Sequence, residues 1–130
     1  MKILVIDDDP AMTELLRILL EPTSAEILTA NSGAEGVETA RQHQPDIAIL
    51  DLMMPKMNGW EVCKAIREFS SMPLLVLSAM DNPGMVATAL DAGADDYLIK
   101  PAPNNVLIAH INNLIKRKRP DLNLVLAVAS

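Results

Sequence analysis

The chain reads as an α/β protein, a doubly wound five-stranded parallel sheet with five helices. Two observations predict it. Short β-branched and leucine-rich runs alternate with amphipathic stretches of helical length, the pattern of βα units around a parallel sheet. Polar residues that look out of place then follow four of the five runs, as expected where strands deliver side chains to one edge.

The elements follow in order. The first strand, β1, covers 3–6, and the first helix, α1, covers 10–20. Asp9 caps α1, Pro10 takes its first position, and Met12, Leu15, Leu16, Leu19 and Leu20 recur at helical spacing. Strand β2 covers 26–29. Ser32 with Glu35 has the S-x-x-E spacing of a helix start, which opens α2 in the segment before β3 at 46–50. Asn58 with Glu61 does the same for α3, which fills the segment between 59 and β4 at 74–77. Asn82-Pro83 opens α4, which stops at Gly93 before β5 at 97–99. The last helix, α5, lies between 103 and 118, and its buried stripe is Leu107, Ile108, Ile111, Leu114 and Ile115. Beyond "KRKRP" the pattern breaks. The segment "DLNLVLAVAS" could be a strand, the start of a further domain or a cloning remnant, and a loosely held tail is the expected case. The organisation is therefore one domain at 1–118, then a tail or start of a linker at 119–130.

Composition narrows the function classes. With 130 residues, half of them hydrophobic and 22% charged, the chain is one globular domain with a proper core. A formal charge of −6 argues against a sequence-independent grip on nucleic acid, so this domain is expected to make no direct nucleic acid contact. Neither a signal peptide nor an apolar run of membrane-spanning length is found, which predicts a cytoplasmic protein with no membrane partner. Cys63 is the sole cysteine, which excludes an internal disulfide and a thiolate metal cluster.

The misplaced polar residues carry the chemistry. Asp7 and Asp8 follow β1, Asp51 follows β3, Ser78 follows β4 and Lys100 ends β5, whereas β2 ends blandly at Ala30. If β2 lies at an edge away from the crevice, its bare end is explained and the strand order is 2-1-3-4-5. Asp7, Asp8 and Asp9 repel one another, and Asp9 alone is accounted for by capping. Three carboxylates from Asp7, Asp8 and Asp51 need a hard, oxygen-loving dication such as Mg²⁺, which keeps waters and accepts phosphate oxygens. Lys100 offers a point charge and Ser78 a hydroxyl donor, both suited to the oxygens of a transferring phosphoryl group. A carboxylate attacking phosphorus gives an aspartyl-phosphate.

At this point "ILVIDDDP", "ILDLMMPKMNGWEV", "LLVLSA" and "AGADDYLIKP" together resemble the response-regulator receiver domain of bacterial two-component signalling, over about residues 1 to 118. The resemblance implies the flavodoxin-like fold with strand order 2-1-3-4-5. The resemblance implies that Asp51 is the phosphoacceptor and that Asp8 ligates Mg²⁺ directly. Asp7 holds the ion mainly through water, and the Met53 backbone carbonyl adds an oxygen. It further implies that Lys100 pairs with the phosphoryl group, that Ser78 bonds to it, that the Tyr97 rotamer follows Ser78, and that Lys100-Pro101 is a cis peptide. The phosphoryl source is a phosphohistidine on a sensor histidine kinase or phosphotransfer protein. The signal leaves through the α4-β5-α5 face, to a transcriptional output. The domain is then no enzyme beyond catalysing its own phosphorylation and a slow autodephosphorylation, with Met53 and Met80 obstructing in-line water. "ADDYL" resembles the transcription-factor subgroup that forms homodimers through α4-β5-α5. Two features depart from the family pattern: Ala102 and Pro103 follow the Lys-Pro pair where phenylalanine is common, and α5 offers Val106, His110 and Asn112 where acid and arginine are expected.

Other residues have plainer readings. The methionines at 12, 57, 72 and 85 fill core or surface, His43 and His110 lie on helix surfaces, and the "KRKR" run suits a helix C-terminus. Trp60 and Cys63 are structural. Three rivals remain. A haloacid-dehalogenase-like phosphatase would use Asp7 and Asp9 as D-x-D with Ser78, Lys100 and the pair Asp95-Asp96, but that pair precedes β5 at the wrong end of the sheet. A phosphorylation-independent interaction module leaves the acid, serine and lysine set without purpose. A flavin-binding domain lacks a phosphate loop after β1.

Overall fold

In the computed structural model the described residues are 1–118, and the expected tail at 119–130 lies outside them. Along this stretch run β1 (Lys2–Ile6), α1 (Pro10–Leu19), a short 3₁₀ turn (Glu21–Thr23), β2 (Glu26–Ala30), α2 (Gly33–His43) and β3 (Ile47–Leu50). Then come α3 (Gly59–Arg67), β4 (Leu74–Ser78), α4 (Pro83–Asp91), β5 (Asp96–Ile99) and α5 (Asn104–Lys118). All strand pairs are parallel and the order is β2-β1-β3-β4-β5, the order expected from the sequence.

Right-handed crossovers dictate the layers. The connection from β1 to β2 runs one way across the sheet, and every later connection runs the other. Accordingly α1 covers one face and α2, α3 and α4 the other, while α5, which follows the last strand, packs on the face of α1. Strand alternation matches this split: Ile3, Val5, Ile47, Ile49, Leu75 and Leu77 pack with Leu16 of α1 and the apolar stripe of α5. Leu4, Ile6, Ala48, Leu50, Leu74 and Val76 pack with Val37, Val62, Ile66 and Ala89. The apolar runs of β1, β3 and β4 are buried on both sides, while β2 and β5 are partly exposed edges.

The helix ends follow their caps. Asp9 accepts from the Ala11 amide and Asn58 and Glu61 form a reciprocal capping box. Ser32 accepts from the Glu35 amide, but the Glu35 carboxylate reaches back to the Asn31 amide, one residue before the cap. Two expectations need correction. Leu15 of the α1 stripe is 46% exposed, and Thr13 is buried in that helix instead. His110 is not simply a surface residue, because its Nδ1 lies 2.6 Å from Asp96 Oδ2 at the amino end of β5.

The amino edge is closed by Arg67 at the end of α3. Its guanidinium donates to the carbonyls of Gly93, Ser70 and Met72 and pairs with Asp95 at 2.8 Å. Asp95 Oδ2 also accepts from the Leu74 amide, and Lys118 Nζ lies 3.2 Å from Asp95 Oδ1. Gly93 is at φ +118°, a region that favours glycine, so the turn after α4 presents its carbonyl to Arg67 without backbone strain.

Candidate functional site

At the opposite edge, hydrogen-bond ladders continue one rung past the strands. The Asp7 amide donates to Ala30 O at 3.1 Å, the Asp51 amide to Ile6 O at 3.1 Å and the Lys100 amide to Ser78 O at 2.8 Å. Each of these residues is held like a strand residue while its side chain clears the rim. Neighbouring strands are spaced by about 4.8 Å, so Asp7 on β1 and Asp51 on the adjacent β3 come together by construction. Carboxylate oxygens of Asp7, Asp8 and Asp51 all lie within 4.8 Å of one another.

Lys100 reaches into this triangle. Its Nζ donates to Asp7 Oδ2 at 3.1 Å and lies 3.6 Å from Asp51 Oδ2. One ammonium against three carboxylates leaves an excess of negative charge. The Asp8 carboxyl is pushed above its ordinary value, first by partial loss of water and then by the charge and hydrogen bonding of Asp7, with a smaller push from Asp51. Asp8 is otherwise exposed, so repulsion from its neighbours is the part a bound cation relieves.

Asp51 is held at both ends. Its Oδ1 accepts from the Leu52 amide at 2.8 Å, which leaves Oδ2 facing Lys100. The loop after it folds back so that the Gly59 amide donates to Leu52 O at 2.8 Å. A Cβ on Gly59 would collide with the Asp51 carbonyl and with Leu52 Cα, so this close approach needs glycine. The candidate ligands Asp7, Asp8 and Asp51 offer hard carboxylate oxygens and include no cysteine or histidine, which suits Mg²⁺.

The family model described as "Response regulator receiver domain" matches residues 3–112. The chain belongs to that family. Response regulator MprA of Mycobacterium leprae is 43% identical over 122 residues, covering 93% of this chain and 54% of that protein. The DNA-binding response regulator MtrA of Mycolicibacterium smegmatis is 35% identical over 120 residues, covering 92% and 53%. This receiver domain thus spans about half the length of those relatives. Among solved structures, a response regulator receiver domain protein from Clostridium thermocellum superposes with TM-score 0.86 at 33% identity, covering 93% of this chain and 98% of that one. The BeF3-activated N-terminal receiver domain of Klebsiella pneumoniae RstA gives 0.85 at 27%, covering 89% and 98%.

Within the receiver domain, Ser78 is fully buried at the end of β4, and its Oγ accepts from the Met80 amide at 3.3 Å. Tyr97 on β5 donates its hydroxyl to the Met80 carbonyl at 2.6 Å. Lys100-Pro101 is cis, as the resemblance implied. Met53, two residues after Asp51, is 52% exposed and Met80 is partly buried. Asp95 and Asp96, which a phosphatase of the rival kind would need beside Asp7, lie at the amino end of β5 at the far edge and are engaged there by Arg67 and His110. No described helix is long and apolar enough to cross a membrane.

The sequence reading missed one residue here. β2 does not end blandly: Asn31, directly after Ala30, donates Nδ2 to Asp7 O at 2.9 Å and to Thr13 Oγ1 at 3.2 Å. The available signal was its place, since it is the first polar residue past a strand, like the other four.

Proposed function

We propose that this domain is a phosphorylation-activated switch that takes a phosphoryl group from a phosphohistidine onto Asp51. The observation that supports it best is three carboxylates within 4.8 Å of one another with Lys100 between two of them. Asp7, Asp8, Asp51 and the Met53 backbone carbonyl would hold a magnesium ion. That ion, when bound, neutralises charge on the incoming phosphoryl oxygens.

In the transfer, an Asp51 carboxylate oxygen forms the new O–P bond as the N–P bond of the phosphohistidine breaks, and the imidazole nitrogen keeps the electron pair. The Leu52 amide fixes the other oxygen, so the nucleophile is oriented before the donor arrives. Lys100 exchanges part of its contact with Asp7 for the phosphoryl oxygens. The modification adds roughly −1.5 to −2 charges and recruits the Ser78 hydroxyl as a donor. Ser78 then gives up its long bond from the Met80 amide, and the Met80 carbonyl holds the Tyr97 hydroxyl. Met80 is the joint through which a change at Asp51 reaches β5 and the α4-β5-α5 face, a shift between two packings.

The donor is a sensor histidine kinase or phosphotransfer protein, in the cytoplasm. A transcriptional output is favoured by the relatives, one of which carries DNA binding in its name, with the nucleic acid contact made outside this domain. Leu90, Ile99 and Val106 are exposed on the output face and suit a homodimer contact. The domain catalyses nothing beyond its own phosphorylation and a slow dephosphorylation, and its boundary is at about residue 118.

Intact-mass analysis after incubation with acetyl phosphate and Mg²⁺ tests the reading. The wild type should gain one phosphoryl group and Asp51→Asn none. Equal labelling of the two proteins, or none of the wild type, overturns it.

A further inference from the structure

The sheet ladder that carries Asp7 stops at β2, because the chain turns at Asn31 and Ser32 into α2. Asp7 N still finds Ala30 O, but the Asp7 carbonyl has no backbone donor from β2. Asn31 supplies it from a side chain. One Nδ2 hydrogen goes to Asp7 O at 2.9 Å and the other to Thr13 Oγ1 at 3.2 Å, so the donor capacity of the amide is fully used. Thr13 is buried and its hydroxyl donates to Pro10 O at 3.1 Å in the first turn of α1. The Asn31 backbone is itself held by the Glu35 carboxylate at the start of α2.

This tie acts on the acidic loop through covalent geometry. The Asp7 carbonyl and the Asp8 amide belong to one planar peptide unit, so fixing the oxygen fixes the direction in which the chain leaves for Asp8. Asp7 Oδ1 in turn accepts from the Asp9 amide at 3.0 Å, which closes the loop from its other side. Mutual repulsion of Asp7, Asp8 and Asp51 favours an opened loop in the absence of a cation. A loop tied to both β2 and α1 resists that opening, and less reorganisation is then needed to bind one.

We propose that Asn31, with Thr13 behind it, is a positioning residue that holds the Asp7–Asp8 peptide in cation-binding geometry and so sets the affinity of the site for Mg²⁺. It touches neither ion nor phosphoryl group. The inference rests on the magnesium reading above and adds to it a residue outside the acid, serine and lysine set.

The test is calorimetric titration of the unphosphorylated protein with Mg²⁺, paired with the rate of labelling by acetyl phosphate across Mg²⁺ concentrations. Asn31→Ala should raise the dissociation constant on the order of tenfold, the lower end for lost outer-shell partners of metal ligands. The labelling rate at saturating Mg²⁺ should stay near the wild-type value. Thr13→Val should give a smaller rise, and the double variant should fall short of the product of the two, because both act through one hydrogen-bond chain. Asn31→Ala that titrates like the wild type, with or without a lower melting temperature, overturns the proposal. So does a variant that loses saturating rate while keeping its dissociation constant. A wild type that takes up no Mg²⁺ removes the magnesium reading itself, and the positioning role with it.

Discussion

The two ends of the sheet carry the same kinds of side chain and use them in opposite ways. At the amino edge, Arg67 spends its donors on three carbonyls and on Asp95, and Asp95 is met again by the Leu74 amide and Lys118. Charge and hydrogen bonding are saturated there. At the carboxyl edge, three carboxylates share one ammonium and Asp8 is pushed toward protonation. A fully partnered ionic cluster fixes a fold, whereas one with charge left over is a candidate for binding a cation. The difference separates structural from functional polar residues on physical grounds.

The comparison breaks or sharpens under substitution, the largest effect first. Arg67→Ala strands Asp95 and three carbonyls, and should cost about 3 kcal/mol, the lower end for a broken partly buried pair. Urea unfolding measures it, and the Mg²⁺ dissociation constant of the folded variant should stay within a factor of two of wild type. A large loss of Mg²⁺ affinity would mean that the two ends are not independent.

Asp8→Asn should do the reverse. Mg²⁺ affinity should fall by more than the roughly 10–100-fold typical of outer-shell losses, while the metal-free protein becomes more stable at pH 7. The sign follows from the raised carboxyl: the native state holds this proton more tightly than the unfolded chain, whose ordinary value is 3.8. Below that value the group costs nothing. The penalty grows as pH rises through the folded value, and remains above it. Melting curves at pH 7 and pH 3.5, without Mg²⁺ and with it, check this. An Asp8→Asn protein less stable than wild type in metal-free buffer at pH 7 contradicts the raised Asp8 carboxyl.

Met53→Asn with Met80→Glu should speed decay of the phosphorylated form by about tenfold, within the range for admitting a positioned water and a general base. Decay followed by phosphate release or intact mass reads it, and an unchanged rate discards the role given to the methionines. The smallest effect belongs near the saturated end. Burial pushes the Cys63 thiol up to about 11, against a lowering by Arg67. Iodoacetamide at pH 8 should leave it unmodified in the folded protein and alkylate it in urea.

Alternating apolar runs, caps and turn residues act over a few neighbours, so every strand and helix could be read directly, and Asp7, Asp8, Asp51, Ser78 and Lys100 stood out as acids, hydroxyl and amine at strand ends. The exact burial of α1 was less legible. Leu15 and Thr13 exchange places between surface and core because neighbouring elements, not helical spacing, decide which face is covered.

By itself, the sequence determined the sheet, its order and the charges brought to one rim, since these depend on local pattern and on the chirality of crossovers. Only the tertiary structure decided which polar residues find partners across the chain: Asn31 with Asp7 and Thr13, Arg67 with Asp95, His110 with Asp96, Tyr97 with Met80. The reason is that a hydrogen bond is fixed to a few tenths of an ångström and a narrow angle, whereas residue spacing along the chain sets only which elements meet.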